Sequence, residues 1–68
     1  MVEVFKTNVQ EFSESKTIIQ HLLAYFPECK VNFDLEDCDK ILRVEHGAVP
    51  YTKIITLLHT LGYQCELL

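Results

Sequence analysis

Apolar and polar residues alternate most regularly over residues 30–36, where valine, phenylalanine and leucine stand between lysine, asparagine and acidic residues. This period of two predicts a β-strand with one buried and one wet face. A second short run at 41–44, continuing to His46, predicts a strand that pairs back as a hairpin. Residues 2–7 and 63–68 predict the first and the last strand.

Apolar residues that recur three, four and seven positions apart predict a helix between the first two strands. Its stripe comprises Phe12, Ile19, Leu22, Leu23 and Phe26. The helix is expected to stop before Pro27. Two starts compete, because Asn8 with Glu11 resembles a capping box while Ser13 would cap a slightly shorter helix.

A second helix is predicted to begin near Pro50 and to end at Gly62, where a left-handed cap is needed. Its apolar stripe comprises Ile54, Ile55, Leu57, Leu58 and Leu61. Together the strand and helix patterns predict a buried core that contains Ile19, Leu22, Leu23, Phe33, Leu35, Val44, Ile54, Leu58 and Leu61.

The order strand, helix, strand, strand, helix, strand places both helices on one face of one sheet. Right-handed crossovers in both strand-helix-strand units give an antiparallel sheet in the order 4-1-3-2. The predicted fold class is therefore α+β, a ferredoxin-like βαββαβ sandwich in which residues 1–68 form a single domain. This fold hosts metal carriers, sensors, RNA binders and enzymes, so it does not fix a function.

The composition is that of a folded chain, with 49% hydrophobic residues and only two glycines. A net charge of -4 and scattered basic residues argue against a nucleic-acid partner, because phosphate binding needs clustered positive charge. No signal-peptide pattern and no long apolar run is present, so we expect a cytoplasmic protein without a membrane partner. Three cysteines without a close pair are typical of reduced thiols.

The segment LGYQCEL at 61–67 resembles the closing helix-Gly-Tyr-strand signature of the heavy-metal-associated domains of metallochaperones and copper-transporting ATPases. The hairpin and helix lengths are similar as well, over nearly the whole chain. The resemblance implies a soft-metal site in a Gly-Met-x-Cys-x-x-Cys loop between the first strand and the first helix. The corresponding stretch here, TNVQEFSES at 7–15, contains neither cysteine nor methionine.

Phe12 and Ser15 occupy the two thiolate positions when Pro27 is aligned with the proline that often follows the first helix of this family. Neither side chain can hold copper(I), since soft d10 metals need thiolate or thioether ligands. The resemblance therefore supports the fold and contradicts the activity of the family. No cofactor is expected.

Asp37, Cys38 and Asp39 lie at the predicted hairpin tip, within a run that contains four carboxylates. Such oxygens suit a hard cation, but the run has no glycine for the turn of a calcium loop, and a hairpin would send Asp34 and Glu36 to the sheet face while the tip residues splay. We interpret the tip as a solvated acidic turn and predict no metal site there. If a metal did bind, these three residues would be its candidate ligands. The histidines, on separate elements, do not form a ligand set either.

One face of the predicted sheet turns away from the helices. Residue parity places on it Glu3, Phe5 and Thr7 of the first strand and Ile41, Arg43 and Glu45 of the third. Phe5 and Ile41 would form a small apolar spot beside Arg43. This spot is either a stabilising cross-strand pair or a contact surface for a partner.

The sequence contains no glycine-rich phosphate loop and no informative Ser-His-Asp or Cys-His spacing, so an enzyme is not expected. It favours a non-catalytic interaction or regulatory module that binds a protein partner or forms a homodimer. Two alternatives stay open. One is a metal-handling accessory protein with an atypical site around Cys38, and the other is a small-molecule-sensing regulatory domain.

Overall fold

One four-stranded antiparallel sheet and two helices make up the structure, a computed structural model that describes residues 1–68. The elements are β1 (Val2–Thr7), α1 (Phe12–Tyr25), β2 (Lys30–Asp34), β3 (Ile41–Glu45), α2 (Tyr51–Thr60) and β4 (Cys65–Leu67). The strand order β2-β3-β1-β4 is the predicted order 4-1-3-2 read from the opposite edge. The predicted ferredoxin-like βαββαβ fold is confirmed.

The register of β1 determines which of its residues enter the core. Phe5 lies opposite Leu42 on β3 and Leu67 on β4. Directly paired residues share a face, and Phe5 and Leu42 are both fully buried beneath the helices. The face of β1 that turns away from the helices, which we call the open face, therefore carries Val2, Val4 and Lys6.

The predicted open face is thus wrong for Glu3, Phe5 and Thr7. The cause is the adjacency of Val4 and Phe5, which leaves β1 without a single apolar parity. A shift by one residue sends every side chain of a strand to the other face, and the larger Phe5 occupies the core. Ile41 and Arg43 do lie on the open face, because Arg43 pairs with Val4.

The core lies between the sheet and the helices. It consists of Phe5, Val9, Ile18, Leu22, Cys29, Leu42, Val44, Ile54, Leu58 and Cys65. The predicted core residues Leu22, Val44, Ile54 and Leu58 are buried, whereas Ile19, Phe33, Leu35 and Leu61 are half-buried and Leu23 is exposed. Four of these five exceptions belong to α1 or to the β2 segment, so this side of the domain is the less covered one.

Helix α1 begins after Glu11, which forms a capping box with Glu14. The Glu11 N–H donates to Glu14 Oε1 at 3.1 Å. Neither Asn8 nor Ser13 is the cap, so both predicted starts are wrong. The side chain of Asn8 forms a different contact, in which its Oδ1 accepts the N–H of Gln64 at 2.8 Å. This bond joins the β1–α1 loop to the residue just before β4.

Gly62 turns the chain from α2 into β4, as predicted. Its φ of 98° lies in the left-handed region that residues with a Cβ avoid. The turn lets the Tyr63 N–H donate to the Leu58 carbonyl at 2.9 Å, which satisfies one of the carbonyls left free at the helix end.

Candidate interaction surface

A groove of about 610 Å³ runs between helix α1 and strand β2. Gln10, Phe12, Ser15, Lys16 and Ile19 form one wall, and the six consecutive residues 31–36 form the other. Consecutive residues of a strand point to opposite faces, so a groove that touches all of them follows the edge of the sheet. We call it the α1–β2 groove.

Helix α1 carries two apolar stripes. Ile18 and Leu22 point into the core and are buried. Phe12, Ile19 and Leu23 share a second face, about a quarter turn around the helix axis. Phe12 and Ile19 border the groove, and Phe12 is 71% exposed. The single wide stripe seen in the sequence is therefore one core stripe and one groove stripe.

The main chain of β2 presents unpaired groups to this groove. The His46 N–H donates to the Met1 carbonyl at 2.9 Å. Antiparallel strands exchange main-chain hydrogen bonds at every second residue pair, so the N–H and C=O groups of the even-numbered β3 residues point to β1. Its odd-numbered residues bond to β2, where they face Lys30, Asn32 and Asp34. The N–H and C=O groups of Val31 and Phe33 consequently point away from the sheet.

Side chains along β2 divide by face. Those of Val31 and Phe33 turn to the helix side and pack, half-buried, against the core. Lys30, Asn32 and Asp34 lie on the open face with Arg43. An edge strand with free main-chain groups beside an apolar wall can accept a further extended strand, whose alternate side chains would enter the groove.

The first turn of α1, which positions Phe12, is braced by Tyr63, a residue just before β4 at the other edge of the sheet. The Tyr63 hydroxyl donates to Glu14 Oε2 at 3.0 Å. The hydrogen bond from the Glu11 backbone, and then the one from Tyr63, lower the pKa of the Glu14 carboxyl. The same contact with Glu14 raises the pKa of Tyr63, because the hydroxyl must keep its proton to donate.

The hairpin tip brings Asp37, Cys38 and Asp39 together, with one potential ligand atom from each lying within 4.8 Å of the others. Both carboxylates already have partners in the chain. Asp37 Oδ1 accepts the Asp39 N–H at 2.9 Å, and Asp39 Oδ1 lies 3.9 Å from Lys6 Nζ. These are the contacts of a solvated acidic turn.

The apolar spot expected at Phe5 and Ile41 does not exist, since Phe5 lies in the core. Ile41 does lie on the open face but is only 5% exposed. Arg43 stands beside it, opposite Asn32. No aromatic side chain belongs to the open face. The most exposed aromatic residue of the chain, Phe12, borders the α1–β2 groove instead.

Phe12 and Ser15, which the resemblance aligns with thiolate positions, both belong to the first turns of α1. Ser15 is buried, and its Oγ donates to the Phe12 carbonyl at 2.6 Å. A hydroxyl tied to the backbone and an exposed phenyl ring offer no soft ligand. The residues present therefore do not fit the metal site of that family.

The three thiols are free, and only Cys38 is exposed. Burial raises the pKa of Cys29 and raises that of Cys65 to about 12. Both buried cysteines therefore act as apolar core residues.

His46 is buried beside a cavity of about 320 Å³, where its Nδ1 accepts the Val49 N–H at 3.1 Å. Its Nε2 has no partner and is itself shut off from solvent, so a ligand in the cavity could not reach this nitrogen without a rearrangement.

The α1–β2 groove was not recognised from the sequence, although two signals pointed to it. The predicted strand order already placed β2 at an edge, and the stripe on α1 was wider than one buried face requires. Which part of that stripe is covered depends on tertiary packing.

Comparison of the chain with protein-family models, with curated proteins and with solved structures gives no match. Neither helix has the length and apolar character needed to cross a bilayer.

Proposed function

We propose that the protein is a non-catalytic interaction module that docks an extended polypeptide strand along β2, in the α1–β2 groove. The observation that carries this proposal is the pair of outward-pointing main-chain units at Val31 and Phe33, set beside the exposed ring of Phe12. Main-chain bonding of this kind provides affinity, and the groove provides selectivity for alternate side chains.

The energetics favour a modest affinity. Each new main-chain hydrogen bond contributes about 1 kcal/mol net, and covering an exposed phenyl ring contributes about 2 kcal/mol. The association and the ordering of the added strand oppose these gains, so we expect a dissociation constant of tens of micromolar or weaker. Such an affinity suits a reversible regulatory contact.

Two further functions have less support. The metal-handling alternative rests on the resemblance to heavy-metal-associated domains and on the acidic tip around Cys38, whose carboxylates are engaged by the turn and by Lys6. The small-molecule sensor would use the cavity at His46, whose unpartnered nitrogen is out of reach of a ligand.

A peptide library displayed on phage tests the proposal directly. We expect enrichment of peptides in which apolar and polar residues alternate, and titration of a synthetic enriched peptide should shift the NMR signals of residues 31–36 and of Phe12. The Val31→Pro variant removes an outward N–H without touching the β2–β3 ladder, so it should abolish binding.

Leu67→Pro is the matched control. Leu68 N–H donates to the Val4 carbonyl, so the N–H of Leu67 points outward from the other edge of the sheet. This variant should bind the peptide as the wild type does. A library that enriches no peptide, or peptides that shift signals only outside the groove, would refute the proposed function.

A further inference from the structure

Strand β2 is complementary in charge to itself when two copies run antiparallel. It begins with Lys30 and ends with Asp34, and the residues between them are uncharged. Antiparallel pairing over the full strand places Lys30 opposite the partner's Asp34 and Asn32 opposite the partner's Asn32. Parallel pairing would instead place like charges opposite each other.

The outward main-chain groups match the same register. With the two-fold axis at Asn32, Val31 lies opposite the partner's Phe33, and these are the residues whose N–H and C=O groups point away from the sheet. Each such pair exchanges two hydrogen bonds in an antiparallel ladder. Charge, main-chain geometry and strand length therefore agree on one register.

We propose that the strand docked in the α1–β2 groove is β2 of a second copy of this chain, which gives an isologous dimer with one continuous eight-stranded sheet. This inference rests on the proposed function and names its partner. The partner's Phe33 lies on the helix side, next to Val31, and enters the groove below Phe12 and Ile19. The two α1 helices then flank the axis, and the groove stripes of both copies are covered together.

The edge itself supports a self-association rather than a protected monomer. Natural sheets blunt their edges with charged side chains, proline, bulges, inward-pointing charges or very short strands. β2 spans five residues without a proline, and its inward side chains are Val31 and Phe33. Its only charges, at the two ends, are the ones that pair across the dimer axis.

Charge exchange tests the dimer. Lys30→Glu and Asp34→Lys each place two like-charge pairs across the axis, so each variant alone should dimerise at least about tenfold more weakly than the wild type. An equimolar mixture of the two variants restores opposite charges at both pairs and should form a heterodimer. Sedimentation equilibrium over a concentration series measures all three samples.

Lys53→Glu makes the same charge change on the exposed surface of α2 and should leave the wild-type dimer unchanged. Val31→Pro should be monomeric even though it keeps both Lys30 and Asp34. Circular dichroism identical to the wild type shows that each variant is folded.

A wild type that stays monomeric up to about 1 mM would overturn the inference. So would a mixture of the charge variants that remains monomeric, or a dimer that Val31→Pro does not affect. These results are separable from the proposed function, because groove binding of a library peptide by a monomeric wild type would leave that function standing while removing the second copy as the partner.

Discussion

The two edge strands of the sheet, β4 and β2, differ in length and in what lies beside them. At one edge, β4 is only three residues long, and Asn8 and Glu14 hold the chain just before it through Gln64 and Tyr63. At the other edge, β2 is five residues long and borders an apolar groove. A short strand is itself a form of edge protection, so β4 is closed and β2 is open.

This asymmetry supports the proposed function more directly than the fold does. A ferredoxin-like sandwich supports unrelated activities, whereas an unprotected edge beside exposed aromatic surface supports one kind of contact. The helices repeat the contrast. The stripe of α2 includes the fully buried Ile54 and Leu58, while α1 keeps Phe12 and Leu23 exposed.

Alanine substitution of three phenylalanines tests the difference between the centre of the sheet and its β2 edge. This series includes the largest change in unfolding free energy that we expect. Phe5→Ala should lower the free energy of unfolding by about 3–5 kcal/mol, because it leaves a cavity at a fully buried position. Phe33→Ala should cost less than half of that, since the half-buried ring leaves a site open to water. Phe12→Ala should change stability by less than about 0.5 kcal/mol.

Urea unfolding followed by circular dichroism gives all three values. The sequence pattern alone favours Phe33 as the decisive core aromatic, so this series also separates the pattern from the structure. If Phe33→Ala costs as much as Phe5→Ala, the groove wall belongs to the core and the contrast between the edges fails.

Patterns of period two and 3.6 predicted the elements and the core stripe of α2, and the right-handed crossover rule predicted the strand order. They failed where two solutions satisfy the same pattern. Val4 and Phe5 are adjacent and apolar, so only the pairing of Phe5 with Leu42 settles which one enters the core. Glu11 is an unusual cap, and the typical cap residue Asn8 is used instead for a contact with Gln64 across the chain.

The candidate site was harder to predict for a related reason. An apolar residue on a helix shows that burial is favourable, but it does not show whether the covering surface belongs to the same chain. Phe12, Ile19 and Leu22 look alike in the sequence, yet only Leu22 is fully covered. The distinction follows from the position of β2 at the edge, which leaves α1 with no neighbour on its outer side.

A pair of proline substitutions tests the direction of the main-chain groups on the open edge. Asn32→Pro removes the N–H that bonds to Arg43 and leaves the Arg43 carbonyl without a partner. This change should lower the free energy of unfolding by about 3 kcal/mol. Val31→Pro removes an N–H that already points to solvent, so its cost should be about 1 kcal/mol, from lost side-chain packing. Thermal and urea unfolding of both variants measures the difference.

Equal costs for the two variants would mean that the outward groups are assigned to the wrong residues. A larger cost for Val31→Pro would reverse the assignment and move the docking register by one residue.

The smallest effect concerns the closed edge, where the bond between Tyr63 and Glu14 braces the start of α1. The pKa of Glu14 is lowered in the folded state from an ordinary value of 4.5, so its stabilising contribution is complete above that pH and is lost as the pH falls through the lower folded value. The pKa of Tyr63 is raised from 10.0, so its contribution is present below pH 10 and is lost as the pH rises further. Melting temperature should therefore decline at both extremes.

The Tyr63→Phe variant isolates this brace, because it deletes the hydroxyl and keeps the ring. Its melting temperature should fall less than that of the wild type on acidification below about pH 4.5, and less on alkalinisation above about pH 10, the ordinary pKa values of the two groups. Tyr51→Phe, at an exposed tyrosine on α2, should follow the wild-type profile. The acid decline should persist in part, since the larger cause of the lowered pKa of Glu14 is its bond to the Glu11 backbone. Identical profiles for Tyr63→Phe and wild type would show that the bond does not hold the β4 edge, and the closed edge would then depend on the shortness of its strand alone.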